Sequence, residues 1–390
     1  MPQTPTFPSS NTPVDTDVLI VGAGPTGLTL GAALARRGIA TTLVDRLAAG
    51  VNTSRAAVVH ARTLEALEPL GVAERLDRLG VHAKRFTIRD RDRVLVPIDF
   101  TSLPTRYPYT LMVSQAVTEG VLLERLTELG GRVLRPRSLV ALTQAADHVE
   151  AQFDDGSRCR ARFLVGADGM HSRVREASGI AFTGDSYGES FVLADVHLSG
   201  GVPHDEVILY FSPAGMVVVA PLPDHAHRIV ATVDDAPEVP DAAYVQALLD
   251  ARGPERERAV VRDVIWGSRF RVHHRVADTY RDRRVLLAGD AAHVHSPAGG
   301  QGMNVGILDA LHLSNALIQA LAGDTAALDA YGQARRPVAQ QVVALAHRLT
   351  RMATVRPRLR GLRNTLLGLA SKLPPLRRQL AWRLSGLVYR

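Results

Sequence analysis

The chain has 390 residues, 46% hydrophobic and 22% charged, with a formal net charge of +7. That length exceeds one core, which stops growing near roughly 250–300 residues, and the composition excludes extended disorder. A single cysteine, Cys159, excludes an intramolecular disulfide framework and a cysteine metal cage.

Residues 1–15 read as a Pro/Ser/Thr-rich tail, without the basic and apolar regions of a signal peptide. No apolar run is long enough for a transmembrane helix, so cytoplasmic residence is the expectation. Asp17–Val21 then reads as a short buried strand. Gly22-Ala23-Gly24-Pro25-Thr26-Gly27 follows, and Leu28–Arg37 reads as a helix that Gly38 ends. Ile39–Val44 is a second strand, closed by Asp45 and Arg46. This is G-x-G-x-x-G in the context that gives it meaning. Gly22 permits a tight turn, Gly24 admits a pyrophosphate and Gly27 allows close helix–strand packing. The helix start supplies N–H donors to phosphate. Asp45 is placed for ribose hydroxyls and disfavours a 2′-phosphate, so FAD or NAD is expected at this turn.

Arg162–Ala167 reads as a further strand ending in Asp168-Gly169, followed by a helix through Ser172–Arg175. Residues 182–280 read as a strand-rich insertion, with strands at Phe191–Val196, Val207–Phe211, Met216–Ala220 and Ile229–Val233. Arg284–Ala288 is another strand, ending in Gly289-Asp290. The glycine-rich turn Pro297–Asn304, containing Gly300, Gly302 and Met303, precedes a helix from Val305 to Leu321. Asp290 is placed for a ribityl or ribose hydroxyl. The turn presents backbone N–H groups at a helix start, suited to negative charge on a reduced flavin.

After Asp329 there is no Asp or Glu, yet 13 Lys and Arg follow, so the rest of the chain carries −6. In this segment Leu359, Leu362, Leu366, Leu367, Leu376, Leu380 and Leu384 recur at helical spacing. They predict amphipathic helices packed on the body by their leucines, with a solvated arginine face. Contact with a membrane surface or an acidic partner is the lesser reading. Nucleic acid is not expected, because no stacking platform or recognition motif accompanies the charge. No metal is expected, since the paired histidines (His225/His227, His273/His274, His293/His295) lack a marked third ligand.

GAGPTG at 22–27, GADGMHSRVR at 166–175 and GDAAHVHSPAGGQGMN at 289–304 together resemble the class A single-component flavin monooxygenases. That is the para-hydroxybenzoate hydroxylase and phenol hydroxylase-like family. The middle segment is most similar to its aromatic polyketide hydroxylase branch, known from antibiotic biosynthesis. Ser54-Arg55-Ala56, Arg62–Glu65 and Ser114-Gln115 are smaller matches.

The resemblance implies an α/β fold: a Rossmann-type, glutathione reductase-like FAD domain, a β-sheet substrate domain and C-terminal helices. The FAD domain would span 16–83, 112–181 and 281–340. The substrate domain would span 84–111 and 182–280, and basic helices 341–390. FAD would be held noncovalently by Gly22, Gly24, Pro25, Thr26, Gly27, Asp45, Arg46, Arg55, Gln115, Val140, Asp168, Gly289, Asp290, Pro297, Gly300, Gly302, Met303 and Asn304.

NAD(P)H would bind transiently, and O2 would add to the reduced flavin as a C4a-hydroperoxide that hydroxylates a phenolic or polyketide-like ring. Arg55 would steady the moving flavin and the Pro297 carbonyl would lie over the pocket. Tyr210 and Met216 are the candidate substrate contacts. Tyr210, His60 and His295 are candidate bases, none singled out. The alternatives are Baeyer–Villiger oxidation, epoxidation, polyprenyl or quinone-like reduction, and a non-catalytic flavin-fold scaffold. A monomer or homodimer is expected. Asp45 departs from the family's usual Glu, and the thioredoxin-like domain of many polyketide hydroxylases is not found in the 390 residues.

Overall fold

The computed structural model describes residues 15–50, 56–212, 214–233, 236–296, 299–353 and 355–390. A parallel core sheet runs in the order Val285–Leu287, Arg158–Gly166, Thr16–Val21, Thr41–Val44, Val133–Leu134. Thr16–Val21 sits between two parallel neighbours, with Val18, Leu19 and Ile20 fully buried. A strand covered on both faces needs such a continuous apolar run. The helix Pro25–Ala35 lies on this sheet and packs against the long helix Gly302–Leu321.

A second sheet contains eight strands among the described residues. Its order is His293–Val294, Val260–Ala277, Phe182–Ser199, Ala226–Val233, Gly215–Pro221, Glu206–Ser212, Arg85–Asp90, Arg93–Asp99. The four strands expected between 182 and 233 are present, three of them longer at both ends and the fourth, Ala226–Val233, at its start only. Val260–Ala277 was not read from the sequence. It pairs along nearly the whole of Phe182–Ser199, and its arginines and histidines hide the apolar alternation. Strand alternation splits the sheet's side chains into two clusters. Ile208, Tyr210, Val217, Val219 and Ile229 pack with Leu248 and Leu249 of the helix Ala242–Arg252. Leu209, Phe211, Met216 and Phe191 pack on the other face, against Leu367, Leu380 and Leu384.

The C-terminal helices correct the expectation of a leucine-inward docking. Leu367, Leu380 and Leu384 do pack inward, but Leu359, Leu362 and Leu366 are each more than half exposed. The helix Arg360–Ala370 buries Arg363 and Asn364 instead. The reason is specific hydrogen bonding. The Arg363 guanidinium lies 4.4 Å from the centre of the Phe211 ring and donates to the carbonyl oxygens of Met352 and Phe211. Asn364 donates to Asp90 and to the Phe211 carbonyl. No helix among the described residues is long and apolar enough to cross a membrane.

Candidate active site

The first turn forms because glycines stand where a Cβ cannot. Gly22 has φ +105°, and a Cβ there would lie 2.3 Å from the Ala167 carbonyl oxygen. One on Gly27 would lie 1.9 Å from the Gly22 carbonyl oxygen. Gly24 differs: an added Cβ would meet nothing within 4 Å, so this backbone faces open space at the helix start. Pro25 opens the helix, whose first turn carries no acidic residue. A glycine-lined, uncompensated helix N-terminus is the surface that a pyrophosphate fits.

Asp45 closes the same turn. Its Oδ2 accepts from the Ala23 N–H at 2.7 Å and its Oδ1 from the Leu47 N–H at 2.8 Å. Each carboxylate oxygen retains a second lone pair for a ribose hydroxyl. Arg135 donates to the Ala23 carbonyl at 3.2 Å, and the Arg137 N–H donates to the Asp45 carbonyl at 2.7 Å. Sequence reasoning missed this arginine pair, because it sits in a short connection without a motif. Val140, expected near the adenine, is half exposed on Leu139–Gln144, an edge strand paired with Val149–Phe153. Arg46 is exposed beside Asp45. Gln115 begins its helix after the Ser114 cap, and its side chain donates to Glu119 at 2.8 Å. Burial raises the Glu119 carboxyl, partly offset by that bond and by Arg135.

Asp168 caps the next helix. Its Oδ2 accepts from the N–H groups of Arg173 and Val174, while Oδ1 is buried without a hydrogen-bond partner among the described residues. Burial pushes this carboxyl above its ordinary value against the pull of those bonds. Arg175 reaches from the same helix to the carbonyls of Ala291 and Met170, and stacks 3.9 Å over Phe182. It ties the segment at 168–175 to the one bearing Asp290.

Gly289 and Gly306 both press on Thr26. Added Cβ atoms there would lie 2.4 and 2.5 Å from its hydroxyl oxygen. The first glycine turn and the third motif are thus in direct contact. Asp290 follows Gly289 in a short 3-10 turn and is exposed. Gly302 and Met303 begin the long helix, next to buried Gln301, whose Nε2 has no partner among the described residues. Asn304 is the brace of this turn: its Nδ2 donates to the carbonyls of Val58 and Gly300, and its Oδ1 accepts from the His60 N–H. Gly299 and Gly300 have φ +87° and +61°, which an L side chain rarely adopts. Arg55 and Pro297, expected in catalysis and cofactor binding, lie outside the described residues, as does Ser54.

The two histidines expected near the site lie against this turn, His60 buried and His295 partly buried. His60 Nε2 donates to the Gly299 carbonyl at 3.1 Å, and His295 Nδ1 donates to the Ser296 carbonyl at 2.8 Å. Burial lowers each ring to about 4, against the weaker pull of its backbone hydrogen bonds. Both are neutral at physiological pH. His295 Nε2 has no partner among the described residues and faces Gly302. Tyr210 and Met216 are not brought together. Tyr210 belongs to the cluster on the helix Ala242–Arg252, whereas Met216 lies on the opposite face of the sheet. Register explains it: Tyr210 pairs with Val217, so it shares that residue's face and not Met216's.

Leu384, at the end of the helix Pro374–Leu384, lies between the sheet and the glycine turn. Leu384 packs with Phe211 and Met216, and an added Cβ on Gly299 would lie 3.8 Å from it. An open phosphate cradle and a glycine turn at a second helix start, held together through Thr26, are the cofactor surfaces of an FAD-dependent oxidoreductase.

Comparison with known proteins places the chain more narrowly. The FAD_binding_3 family (FAD binding domain) matches residues 15–346, and the chain belongs to it. It is 36% identical to the 12-dehydrotetracycline 5-monooxygenase/anhydrotetracycline 6-monooxygenase of Streptomyces rimosus over 96% of this chain and 77% of that one. It is 35% identical to the pentachlorophenol 4-monooxygenase of Sphingobium chlorophenolicum over 85% of this chain and 64% of that one. Among solved structures, p-nitrophenol 4-monooxygenase PnpA from Pseudomonas putida DLL-E4 superposes with a TM-score of 0.81 at 25% identity, covering 94% of this chain and 97% of that one. The chain is an FAD-dependent aromatic monooxygenase.

Proposed function

We propose that this enzyme hydroxylates a phenolic or polyketide-like aromatic ring, consuming NAD(P)H and O2, in the cytoplasm. The observation that carries this reading is the contact through Thr26 that holds the open cradle at Gly24 against the glycine turn and helix start of the third motif. The named relatives act on tetracycline-type and phenolic compounds. When bound, FAD takes electrons from the nicotinamide and delivers one oxygen atom of O2 to the ring.

The chain's part is binding, orientation and exclusion of water. The backbone at Gly22–Gly27, with Pro25 and Thr26, would hold the pyrophosphate. Asp45, Arg46, Arg135 and Gln115 would hold the adenosine side. Asp290, with Gly289 behind it, would take a ribityl hydroxyl. The turn at Gly300–Asn304 would direct N–H groups at the flavin ring, stabilising negative charge there. Asp168 would border the groove that NAD(P)H enters. Met216 is the proposed substrate contact. His60 and His295 are assigned no proton transfer: burial lowers each to about 4, too weakly basic to draw a phenolic proton, and the His60 ring is committed to the Gly299 carbonyl.

The test is substrate-stimulated NAD(P)H oxidation with isotopic oxygen. The expected result is faster oxidation with phenols, naphthols or anthraquinones and a product carrying one atom from O2. Hydrogen peroxide equal to the nicotinamide consumed, with no oxygenated product from any of the three classes, would overturn the proposal.

A further inference from the structure

The helix Arg360–Ala370 is docked through Arg363, Asn364 and Leu367. Arg363 and Asn364 face the body, and Leu359, Leu362, Leu366, Leu369 and Leu373 face solvent, each more than half exposed. Within the helix, Leu362, Leu366 and Leu369 share one face by their spacings of four and three, and Leu359 and Leu373 flank it at either end. Exposed cations frame it: Arg356 and Arg358 precede the helix, Lys372 and Arg378 follow it. Arg93, from the adjoining strand, reaches alongside Gly368.

A leucine row of this extent marks a contact surface. The charge decides what covers it. Pairing with a second copy would set one acid-free cationic segment against another, since no Asp or Glu follows Asp329. A lipid surface with anionic headgroups answers both features. The leucines enter the headgroup–acyl boundary, and the arginines and lysine meet phosphates. The helix is far too short to span a bilayer and suits a position in the interface plane.

We propose that the stripe Leu359–Leu373 docks this enzyme peripherally on an anionic membrane surface. The leucines supply depth and the flanking cations supply selectivity for negative lipid.

The test is co-sedimentation of the FAD-loaded full chain with vesicles. Phosphatidylcholine vesicles containing phosphatidylglycerol are compared with pure phosphatidylcholine. Sedimentation with the mixed vesicles that weakens as salt rises is expected. The double variant Leu366→Glu/Leu369→Glu should partition at least about tenfold less, with its flavin spectrum unchanged. Arg358→Gln/Lys372→Gln should weaken binding to the anionic vesicles alone. If the glutamate variant is insoluble, Leu366→Ser carries the same comparison.

Absence of sedimentation, equal sedimentation with pure phosphatidylcholine, or undiminished binding of the leucine variants would overturn the proposal. So would a dimer in sedimentation velocity that the leucine substitutions dissolve, since a second copy would then be the occupant.

Discussion

Asn304 and His60 are 244 residues apart in sequence, and the Asn304 Oδ1 accepts the buried His60 N–H at 2.8 Å. With its Nδ2 on the carbonyls of Val58 and Gly300, one side chain fastens the flavin turn to the strand Val58–Val59. Asn304→Ala leaves these buried groups without a partner, at about 1–3 kcal/mol each. The expected outcome is a lower melting temperature and FAD affinity reduced about tenfold or more. Thermal melts and flavin-fluorescence titration check it.

Asp309 joins two buried donors. Its Oδ1 accepts from Arg335 Nε and its Oδ2 from His293 Nε2, both at 2.6 Å. Burial by itself would raise this carboxyl, but the charges of Arg335 and His293 outweigh it and hold it below 3.8. Its contribution is therefore full above the unfolded value of 3.8 and disappears as pH falls through the lower folded value. Asp309→Asn leaves Arg335 buried without a counter-charge, at about 3–5 kcal/mol. Chemical denaturation near neutral pH should show that loss; an unchanged midpoint would refute the role.

His60, His227 and His295 are all lowered to about 4, in each case chiefly by burial. Between pH 6.5 and 4 the unfolded chain binds these protons and the native chain does not. Stability should fall with acidification by about 1.4 kcal/mol per pH unit per histidine at most. His295→Gln should reduce that slope by one histidine's share, at most about 1.4 kcal/mol per pH unit. Urea midpoints at pH 7 and pH 5 measure it.

Arg363 anchors the outer helix by two carbonyls and the Phe211 ring. Arg363→Met keeps the stem but leaves the Met352 carbonyl without this donor. It should raise amide exchange across 360–370 while leaving the flavin spectrum unchanged. Exchange mass spectrometry reads both the location and the extent; protection equal to the parent would show that the leucine packing of the neighbouring helix suffices.

The nucleotide cradle was legible because its chemistry is local. Gly22, Gly24 and Gly27 owe their identities to contacts within one turn and with the adjoining strand, so their spacing reports the geometry directly. Asp45 and the turn at 299–304 are legible for the same reason. Other features depend on partners far away in sequence. Arg135 meets Ala23 across 112 residues, and Arg175 meets Ala291 across 116, without any motif to announce either. Tyr210 and Met216 both read as strand residues, but register alone assigns them to opposite faces.

By itself, then, the sequence determined the strand–turn–helix units, the cofactor they suit and the cationic C-terminal segment. The tertiary structure decided which face of that segment points inward. Hydrophobic periodicity assigns leucines to the core by default. Here the body offers the Phe211 and Met352 carbonyls and Asp90 as acceptors, and the helix satisfies them by turning Arg363 and Asn364 toward it, which leaves Leu362, Leu366 and Leu369 outside while Leu367 packs in.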